Sequence, residues 1–364
     1  MTGSKHSNTH KGKLVYIAPS QTSFVTNDIV MFLKSYHVIT NIYNWKKKHL
    51  TPLFLFRQFF FLIYHLPQSK AAIASSGGYW TLLPAFLGKI FRTPFFIVLN
   101  GSDCAALPQL NYGDLRKPLL KKINGLSYKH AKILLPVSSS LIFTKNTYYT
   151  DDKSSYQGIK HFFPSLPTKT RVIPNGFDYT FWSPMRTINK EPNSFLAVFS
   201  PSQFILKGGD IIIETAKAFP EYRFYIAGIT NAPEGVDPGD NVSFLGYLEK
   251  EKLKEYYSRS QYYFQLSIYE GFGCALCEAM LCKCIPIVSS VNILPEIVGE
   301  TGFVLQKRRV TDLINLINKA MHENVQKQPG NQARQRIIDQ YPMERREYEM
   351  KEIISGVSIS KNKK

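Results

Sequence analysis

The chain has 364 residues, of which 45 are Lys or Arg and 27 are Asp or Glu, so its formal net charge is +18. A hydrophobic fraction of 44% excludes a chain that is disordered throughout, and the length suits two ordinary domains. A charge this large attracts polyanions such as nucleic acid, an anionic membrane surface or phosphorylated substrates, and charge by itself does not choose among them.

The amino terminus is polar. Residues 1–12 contain no apolar core of the kind that a secretory signal needs. Nowhere in the sequence do 18 apolar residues follow one another without interruption, so we expect no membrane span. From these two observations we expect a cytoplasmic protein.

Short apolar segments alternate with helical patterns from residue 13 to about residue 183. Strands are predicted at 14–18, 38–43, 71–74, 95–99, 133–137 and 170–173. Helices are predicted at 26–35 and 52–66, between the first three of these strands. Strands that alternate with helices in this way indicate a parallel, doubly wound sheet.

Residues 45–66 place a lysine cluster, at 46–48, in front of a helix that is rich in Phe. A helix buried against the sheet after a solvated basic loop is the preferred interpretation. The alternative is contact with an anionic membrane surface, for which basic and aromatic residues together are typical. A second basic stretch in the same half comprises Arg116, Lys117, Lys121, Lys122, Lys129 and Lys132. The two stretches favour a lipid-linked or otherwise anionic acceptor, and peripheral contact with the inner face of the membrane.

A polar segment at 183–194 follows the turn-rich residues 174–178, and we predict a linker there. A second run of strands is predicted after it, at 195–199, 224–228, 242–246, 262–267 and 285–289. A helix over 343–356 closes the predicted fold. The lysine-rich tail at 360–364 is expected to be disordered.

Glu270 and Glu278 lie eight positions apart, on either side of a glycine turn and a helix start. The apolar strand before them ends at Tyr269, and the turn at 271–273 leads into a helix predicted to begin near Gly273. Backbone N–H groups at such a helix start bind pyrophosphate, and open α/β sheets bind ligands at this end of a strand. Glu278 would then lie about 7.5 Å along the helix axis. The two carboxylates therefore suit hydroxyl groups on both sides of a diphosphate.

Four of the five cysteines follow one another closely, at Cys274, Cys277, Cys282 and Cys284, and the fifth is Cys104. Their spacing is tighter than that of a usual zinc knuckle, which needs a longer intervening loop. Small reduced thiols that fill a core are therefore the preferred interpretation, with a zinc site as the alternative.

Several motifs succeed one another in a fixed order. They are VIPNGFD at 172–178, KGGD at 207–210, FYIAG at 224–228, FLGYL at 244–248, the pair Glu270 and Glu278, and LPEIVG at 294–299. This series resembles glycosyltransferase family 4, whose members have the GT-B fold. The resemblance covers residues 170–303 and continues more weakly in the amino-terminal half, with LNGSD at 99–103. The order and spacing together, rather than any one motif, make it specific.

The resemblance implies two Rossmann-like, doubly wound parallel-sheet domains that face each other across a cleft. It makes residues 13–183 an acceptor-binding domain, 184–342 a nucleotide-sugar-binding domain and 343–357 a helix that crosses back to the first domain. It further implies transfer from a nucleotide-diphosphate sugar with retention of anomeric configuration, with neither a metal ion nor another cofactor.

The resemblance also implies roles for single residues. Glu270 would accept hydrogen bonds from donor-sugar hydroxyls, Glu278 would hold the ribose, and Lys207 would neutralise the departing diphosphate. The other predicted donor-binding residues are Asn175, Phe272, Gly273 and Cys274, together with Gly246, Tyr247 and Leu248 against the nucleobase. Taken singly, each of these residues is also compatible with an ordinary loop or helix position.

Two positions depart from the family pattern. Ser202 lies where the family often has an arginine, five positions before Lys207, so one cation of a pair is missing or comes from elsewhere. Asn100 lies where many members have a histidine, and its amide can donate a hydrogen bond to the sugar but cannot act as a base. That fits a mechanism in which the leaving phosphate takes the acceptor proton. Asp103 is then predicted to contact the acceptor, with a turn-capping role as the alternative.

The resemblance, together with the basic amino-terminal half, implies a retaining hexosyltransferase that acts on a glycan or lipid-linked acceptor, in cell-surface polysaccharide or lipopolysaccharide biosynthesis. One alternative is a non-catalytic GT-B subunit that binds sugar or membrane, which Ser202 and Asn100 favour. A nucleotide-sugar epimerase on the same fold is a further alternative. No nucleic-acid-binding motif accompanies the positive charge, so nucleic acid is not an expected partner.

Overall fold

The computed structural model describes residues 11–45, 47–149, 155–327 and 329–356. Most of the polar amino terminus, Lys46 of the predicted lysine cluster and the lysine-rich tail lie outside the described residues.

A five-stranded parallel sheet forms the amino-terminal half of the chain. Its strands are β1 (Lys13–Ala18), β2 (His37–Ile42), β3 (Ser69–Ser75), β4 (Phe95–Leu99) and β5 (Ile133–Pro136). The connecting helices are α1 (Ser23–Leu33), α2 (Thr51–His65), α3 (Leu82–Ile90) and α4 (Pro118–His130). The strand order is β2-β1-β3-β4-β5. Because crossover connections between parallel strands are right-handed, α1 covers one face of this sheet and α2, α3 and α4 cover the other.

The connection between the two halves contains a small antiparallel hairpin. It consists of β6 (Thr144–Lys145) and β7 (Tyr156–Gln157), and the short helix α5 (Ile159–Phe162) follows. The predicted strand at 170–173 runs parallel to β5 without becoming a regular strand of the sheet: an isolated bridge joins Thr170 to Leu134, and the backbone N–H groups of Arg171 and Ile173 donate to Leu134 and Pro136 at 2.9 and 3.0 Å. Pro174 follows directly, and since proline has no N–H to donate, it does not extend the pairing.

A six-stranded parallel sheet forms the carboxyl-terminal half. Its strands are β8 (Glu191–Val198), β9 (Arg223–Ala227), β10 (Val242–Phe244), β11 (Ser260–Gln265), β12 (Ile285–Ser289) and β13 (Phe303–Leu305). The helices are α6 (Gly209–Ala216), α7 (Lys250–Arg259), α8 (Cys274–Leu281), α9 (Leu294–Val298), α10 (Val310–Lys327), α11 (Pro329–Gln340) and α12 (Met343–Ser355). The strand order is β10-β9-β8-β11-β12-β13. At its centre the Phe195 ring of β8 stacks on Phe224 and Phe264 of the two neighbouring strands, with centroids 4.9 Å apart in both pairs.

The prediction of two parallel, doubly wound sheets is confirmed. The bounds of β4 and β12 agree with the predicted ones, because each strand is an uninterrupted apolar run that is buried on both faces. β8 begins at Glu191, so this strand takes the last four residues of the predicted linker. β13, α10 and α11 have no counterpart among the predicted elements.

The last helix, α12, contacts α1 of the amino-terminal half. Arg346 donates from Nε and Nη2 to the two carboxylate oxygens of Asp28, at 2.8 and 2.9 Å, and both side chains are almost fully buried. The third guanidinium nitrogen, Nη1, donates to the main-chain oxygens of Ile173 and Pro174 at 3.2 and 2.9 Å. A buried bidentate ion pair therefore joins the end of the chain to its first helix.

Helix α2 departs from its predicted burial. Only Phe54, Gln58 and Leu62, spaced four residues apart, are buried against the sheet. The exposed apolar side chains of the same helix are Leu53, Phe56, Phe59, Phe60, Ile63 and Tyr64. The interpretation of residues 52–66 as a buried helix is therefore wrong for most of its aromatic residues. A helix that lies on one face of a sheet presents only one stripe to it, whatever the composition of the opposite stripe.

No helix within the described ranges combines the length and the apolar composition that crossing a bilayer requires. The described residues also contain no group of three or more His, Cys, Asp or Glu side chains placed to hold a metal ion. All five cysteines are free thiols, and Cys277, Cys282 and Cys284 lie in the core. The geometry around residues 274–284 thus does not support the alternative zinc site.

Candidate active site

The carboxyl edge of the second sheet is a topological switch point. β8 and β11 are neighbours in the sheet. The strands that follow β8, namely β9 and β10, lie on one side of this pair, and those that follow β11, namely β12 and β13, lie on the other. Open α/β sheets bind their ligands in the crevice at such a point. The loop after β8 carries Lys207 and the loop after β11 carries Glu270, so two residues that are 63 positions apart meet at this edge.

Glu270 lies in a dense hydrogen-bond network. Lys207 Nζ donates to Glu270 Oε2 at 2.5 Å, and Gln265 Nε2 and Ser267 Oγ donate to the same oxygen at 2.8 and 3.2 Å. The backbone N–H of Gly271 donates to the other oxygen, Oε1, at 3.2 Å. The side chains of Lys207 and Glu270 are only 15% and 13% exposed. The carboxylate is therefore fixed in place and orientation, as a group that positions substrate hydroxyls must be.

Helix α8 begins at Cys274, directly after the glycine turn. Gly273 precedes it with a φ of +100°, a conformation that side chains rarely adopt, and a Cβ there would lie 2.9 Å from Leu294 Cδ2. Asn175 Nδ2 donates to the Cys274 sulfur at 3.4 Å, and burial raises the pKa of this thiol to about 12, so it stays neutral. The first N–H groups of α8, which have no partner within the helix, provide an anion-binding helix start close to Lys207.

A cavity of about 230 Å³ lies in front of these groups, and both halves of the chain line it. Its lining residues are Phe24, Asn100, Asn175, Val198, Gln203, Lys207, Gln265, Glu270, Phe272, Gly273, Cys274 and Ala275. Of these lining residues, Lys207 is the one cation and Glu270 the one carboxylate. The structure thus brings seven of the twelve predicted site residues to one cavity. Phe272 reaches it through its backbone, since its ring is buried against Phe177 and Tyr341.

Glu278 lies four residues into α8, at a smaller recess of about 20 Å³. Phe24, Asn175 and Cys274 line both this recess and the larger cavity, so the two lie side by side. Burial raises the pKa of the Glu278 carboxyl to about 8, and the nearby Lys250 ammonium opposes that shift. At neutral pH this carboxyl is therefore mostly protonated, and it can donate as well as accept a hydrogen bond.

Asp103 follows β4 and is fully buried. Its carboxylate accepts hydrogen bonds from the backbone N–H groups of Gly77, Asn100 and Gly101, at 2.8, 3.1 and 2.8 Å. Burial raises the pKa of this carboxyl to about 6, and the three N–H donors oppose the shift. A side chain without exposed surface does not fit the predicted contact of Asp103 with the acceptor. The geometry matches the alternative role, in which Asp103 caps the turn that carries Asn100.

Asn100 lies where the two halves of the chain touch. Its Nδ2 atom donates to the hydroxyls of Ser75 and Ser76 at 3.2 and 2.9 Å. Its main-chain oxygen packs on Gly271, where a Cβ would lie only 1.8 Å from that oxygen. Ser138 Oγ also donates to the main-chain oxygen of Gly271, at 2.9 Å. The loop of Glu270 is therefore held directly against the amino-terminal half.

The three predicted nucleobase residues lie apart from both cavities. Gly246, Tyr247 and Leu248 follow β10, which is the edge strand of the sheet, and they line neither cavity. The Tyr247 side chain is 80% exposed. Their contact with a base stays a prediction. Ser202, which lies where the resemblance expects an arginine, is exposed and only 3.2 Å from the hydroxyl of Ser200.

The sequence patterns do not predict three residues that complete the network around Glu270. Gln265 and Ser267 donate to its carboxylate, and Asn292 Oδ1 accepts from its backbone N–H at 3.2 Å. For Gln265 and Ser267 a signal is present, because they are polar, two positions apart and at the end of an apolar strand. Asn292 lies in the loop after β12 and has no comparable signal.

Residues 182–336, which contain the second sheet, match the family model described as glycosyl transferases group 1. The O-antigen chain mannosyltransferase B of Escherichia coli is 40% identical over 63 residues, which are 17% of this chain and 16% of that protein. A phosphatidylinositol N-acetylglucosaminyltransferase subunit from Arabidopsis thaliana is 22% identical over 167 residues, which are 43% of this chain and 37% of that protein. The matches thus span well under half the length of these two relatives.

Structural similarity extends over nearly the whole chain. The Anabaena protein HepE, in its complex with UDP-glucose, is similar with a TM-score of 0.69 at 15% identity, over 94% of this chain and 99% of HepE. At this level of identity the similarity concerns the fold alone. The expectation of a GT-B fold is confirmed.

Proposed function

Because residues 182–336 match the glycosyl transferases group 1 model, we propose that this chain moves a hexose from a nucleotide-diphosphate sugar to a glycan or lipid-linked acceptor. The transfer retains the anomeric configuration, and the protein serves cell-surface polysaccharide or lipopolysaccharide biosynthesis at the cytoplasmic face of the membrane. The acceptor binds to residues 13–183 and the donor to residues 184–342. The segment predicted at 343–357, which contains α12, crosses back to the first domain, and the ion pair between Arg346 and Asp28 supports this assignment.

One observation carries the proposal: Lys207, Glu270 and the start of α8 surround a single cavity. A diphosphate needs a cation and free N–H groups, and Lys207 and the first turn of α8 offer both. Negative charge grows on the diphosphate as the sugar leaves. Lys207 and the N–H groups of α8 stabilise this developing charge most strongly. Glu270, with an oxygen already oriented by Gln265 and Ser267, is suited to accept hydrogen bonds from the sugar hydroxyls.

The names of similar proteins support the two substrate classes. The relative in Escherichia coli is named as a mannosyltransferase of an O-antigen chain. The relative in Arabidopsis thaliana is named as a subunit of an N-acetylglucosaminyltransferase of phosphatidylinositol. HepE was solved with UDP-glucose. A nucleotide-sugar donor and a glycan or lipid-linked acceptor are thus the substrates that we propose here.

Titration calorimetry with UDP, GDP and ADP would identify the base, and release of sugar from the matching donor would test transfer. We expect Glu270→Ala and Lys207→Ala to abolish sugar release. Matched controls are Glu214→Ala and Lys217→Ala, which break an exposed ion pair on the same domain and should leave release unchanged. Tight nucleotide binding without turnover across a broad acceptor panel would instead support the non-catalytic alternative, which Ser202 and Asn100 favour.

A further inference from the structure

The outer face of α2 is apolar where a helix of a water-exposed domain is ordinarily polar. Eight of its residues are exposed, and Arg57 is the one charged residue among them. Six of the eight are large and apolar or aromatic, and the exposed fractions of Phe56, Phe60 and Tyr64 are 62%, 55% and 66%. Single exposed apolar residues are normal on a protein surface, but a continuous patch of them marks an interaction surface.

The apolar patch continues onto the two neighbouring helices. α2 packs beside α3 and α3 beside α4, on the same face of the sheet. α3 adds exposed Phe86 and Ile90, and α4 adds exposed Leu119 and Leu126. We call this three-helix surface the outer face of the amino-terminal sheet.

Positive charge accompanies the apolar residues. Between residues 29 and 150 the sequence contains fifteen Lys or Arg and two acidic residues, so most of the net charge of +18 comes from this segment. α2, α3 and α4 contain no Asp or Glu. The exposed basic side chains on or beside these helices include Arg57, Lys89, Arg92, Lys122, Lys129 and Lys132. An anionic partner is therefore attracted to the outer face without repulsion from any acidic residue of these helices.

A groove beside α4 has the same mixed character. It has a volume of about 820 Å³ and runs between α4 and the segment 162–167. Its lining includes the apolar Leu126, Phe163 and Leu166 and the basic Lys121, Lys122 and Lys129. An apolar floor beside three ammonium groups matches an amphiphile with an anionic head, because the hydrocarbon and the charge each meet their complement.

We propose that the outer face docks on a membrane that contains anionic lipids. The aromatic and aliphatic side chains of α2 and α3 enter the boundary between head groups and acyl chains. The lysine and arginine side chains reach the lipid phosphates at the same depth. The charge favours a lipid surface over a second copy of this chain, since two such basic faces would repel each other.

This docking surface goes beyond the proposed transfer reaction, and its test measures membrane binding without any sugar transfer. Flotation with vesicles of phosphatidylcholine alone and of phosphatidylcholine with phosphatidylglycerol is the first measurement. We expect the protein to float with the anionic vesicles and much less with the neutral ones. Phe56→Ser/Phe60→Ser should lower the partition coefficient by roughly tenfold for each aromatic side chain. Lys122→Gln/Lys129→Gln should lower it by roughly fivefold for each charge.

Two control variants match these changes on other surfaces. Val30→Ser/Leu33→Ser removes exposed apolar residues from α1, on the opposite face of the same sheet. Lys217→Gln/Lys252→Gln removes two charges from the second half. Both controls should float like the parent protein. The docking surface is contradicted if Phe56→Ser/Phe60→Ser floats like the parent, or if the α1 control is equally impaired.

Fluorescence quenching by brominated phosphatidylcholine tests insertion directly. Phe60→Trp and Ile90→Trp should each add a signal that the brominated lipid quenches, whereas Val30→Trp should add one that it does not. Sedimentation equilibrium without lipid tests whether a second copy of the chain, rather than a membrane, covers the outer face. A dimer that Phe56→Ser/Phe60→Ser dissociates, together with no vesicle binding, would overturn the proposal in favour of an interface between two copies of the chain.

Discussion

Lys207 donates a 2.5 Å hydrogen bond to Glu270, so the cation expected at the diphosphate and the carboxylate expected at the sugar are partners of each other. A diphosphate that enters the cavity therefore competes with Glu270 for Lys207. The pair also explains how a site with a single lining cation keeps that cation in place, since Gln265 and Ser267 hold the same carboxylate oxygen.

Neutralising Glu270 should move nucleotide binding and sugar transfer in opposite directions. Glu270→Gln removes a competitor for Lys207 and a negative charge near the diphosphate, so we expect UDP, or the diphosphate that fits the site, to bind roughly tenfold more tightly. Release of sugar from the intact donor should fall by about 10²–10³-fold, because oriented contacts to the reacting sugar are lost. Calorimetry and a release assay measure the two effects. Weaker nucleotide binding in Glu270→Gln, with Glu214→Gln unchanged, would contradict the competition.

Glu278 should make the stability of the fold depend on pH. Burial raises its pKa from an ordinary 4.5 to about 8, so between these pH values the folded protein holds a proton that the unfolded chain releases. The free energy of unfolding should therefore fall as pH rises through this window, by at most about 1.4 kcal/mol per pH unit, and level off above pH 8. Urea denaturation at pH 5.5 and pH 8 measures the change.

Glu278→Gln is the comparison that isolates this carboxyl, because Asp103 and other groups also titrate. The variant has no proton to release, so it should be less destabilised than the parent between pH 5.5 and pH 8. Parallel stability curves for the two proteins over that range would show that the Glu278 pKa is near its ordinary value in the folded state.

The sequence predicts this fold wherever its local patterns coincide with buried, regular elements. β4 and β12 are continuous apolar runs, and the helix predicted to begin near Gly273 begins at Cys274. The spacing of residues along the chain does not predict the contact between Lys207 and Glu270, because that contact depends on β8 and β11 being neighbours in the sheet.

Burial is the property that local patterns predict least well here. The motif around Asp103 predicts an acceptor contact, yet three backbone N–H groups surround its carboxylate in the interior. Helix α2 has the composition of a buried helix, yet most of its aromatic residues are exposed. In both cases the outcome depends on which side of an element faces the rest of the molecule, and composition does not contain that information.

The buried ion pair between Arg346 and Asp28 should be costly to break from one side. Arg346→Met leaves the Asp28 carboxylate buried without its cation, and we expect a loss of about 3–5 kcal/mol in the free energy of unfolding. Arg345→Met is a matched control in the adjacent position, since Arg345 forms an exposed pair with Glu349, and it should cost less than about 1 kcal/mol. Adding Asp28→Leu to Arg346→Met should recover part of the loss. Equal losses in the two single variants, measured by urea denaturation, would contradict a structural role for the buried pair.

Gly271 should control how closely the two halves of the chain approach at the site. A Cβ at this position would lie 1.8 Å from the main-chain oxygen of Asn100, and backbone atoms on both sides leave no flexible group to yield. Gly271→Ala should therefore separate the loop of Glu270 from the amino-terminal half and lower turnover roughly hundredfold, as a misplacement of about 1 Å does. Nucleotide affinity should change little, because Lys207, the start of α8 and Glu278 all belong to the second half. Gly12→Ala is the control, since its Cβ would meet only the Lys70 side chain. If Gly271→Ala lost nucleotide binding and turnover to the same extent, the contact would act on the donor site itself rather than on the approach of the two halves.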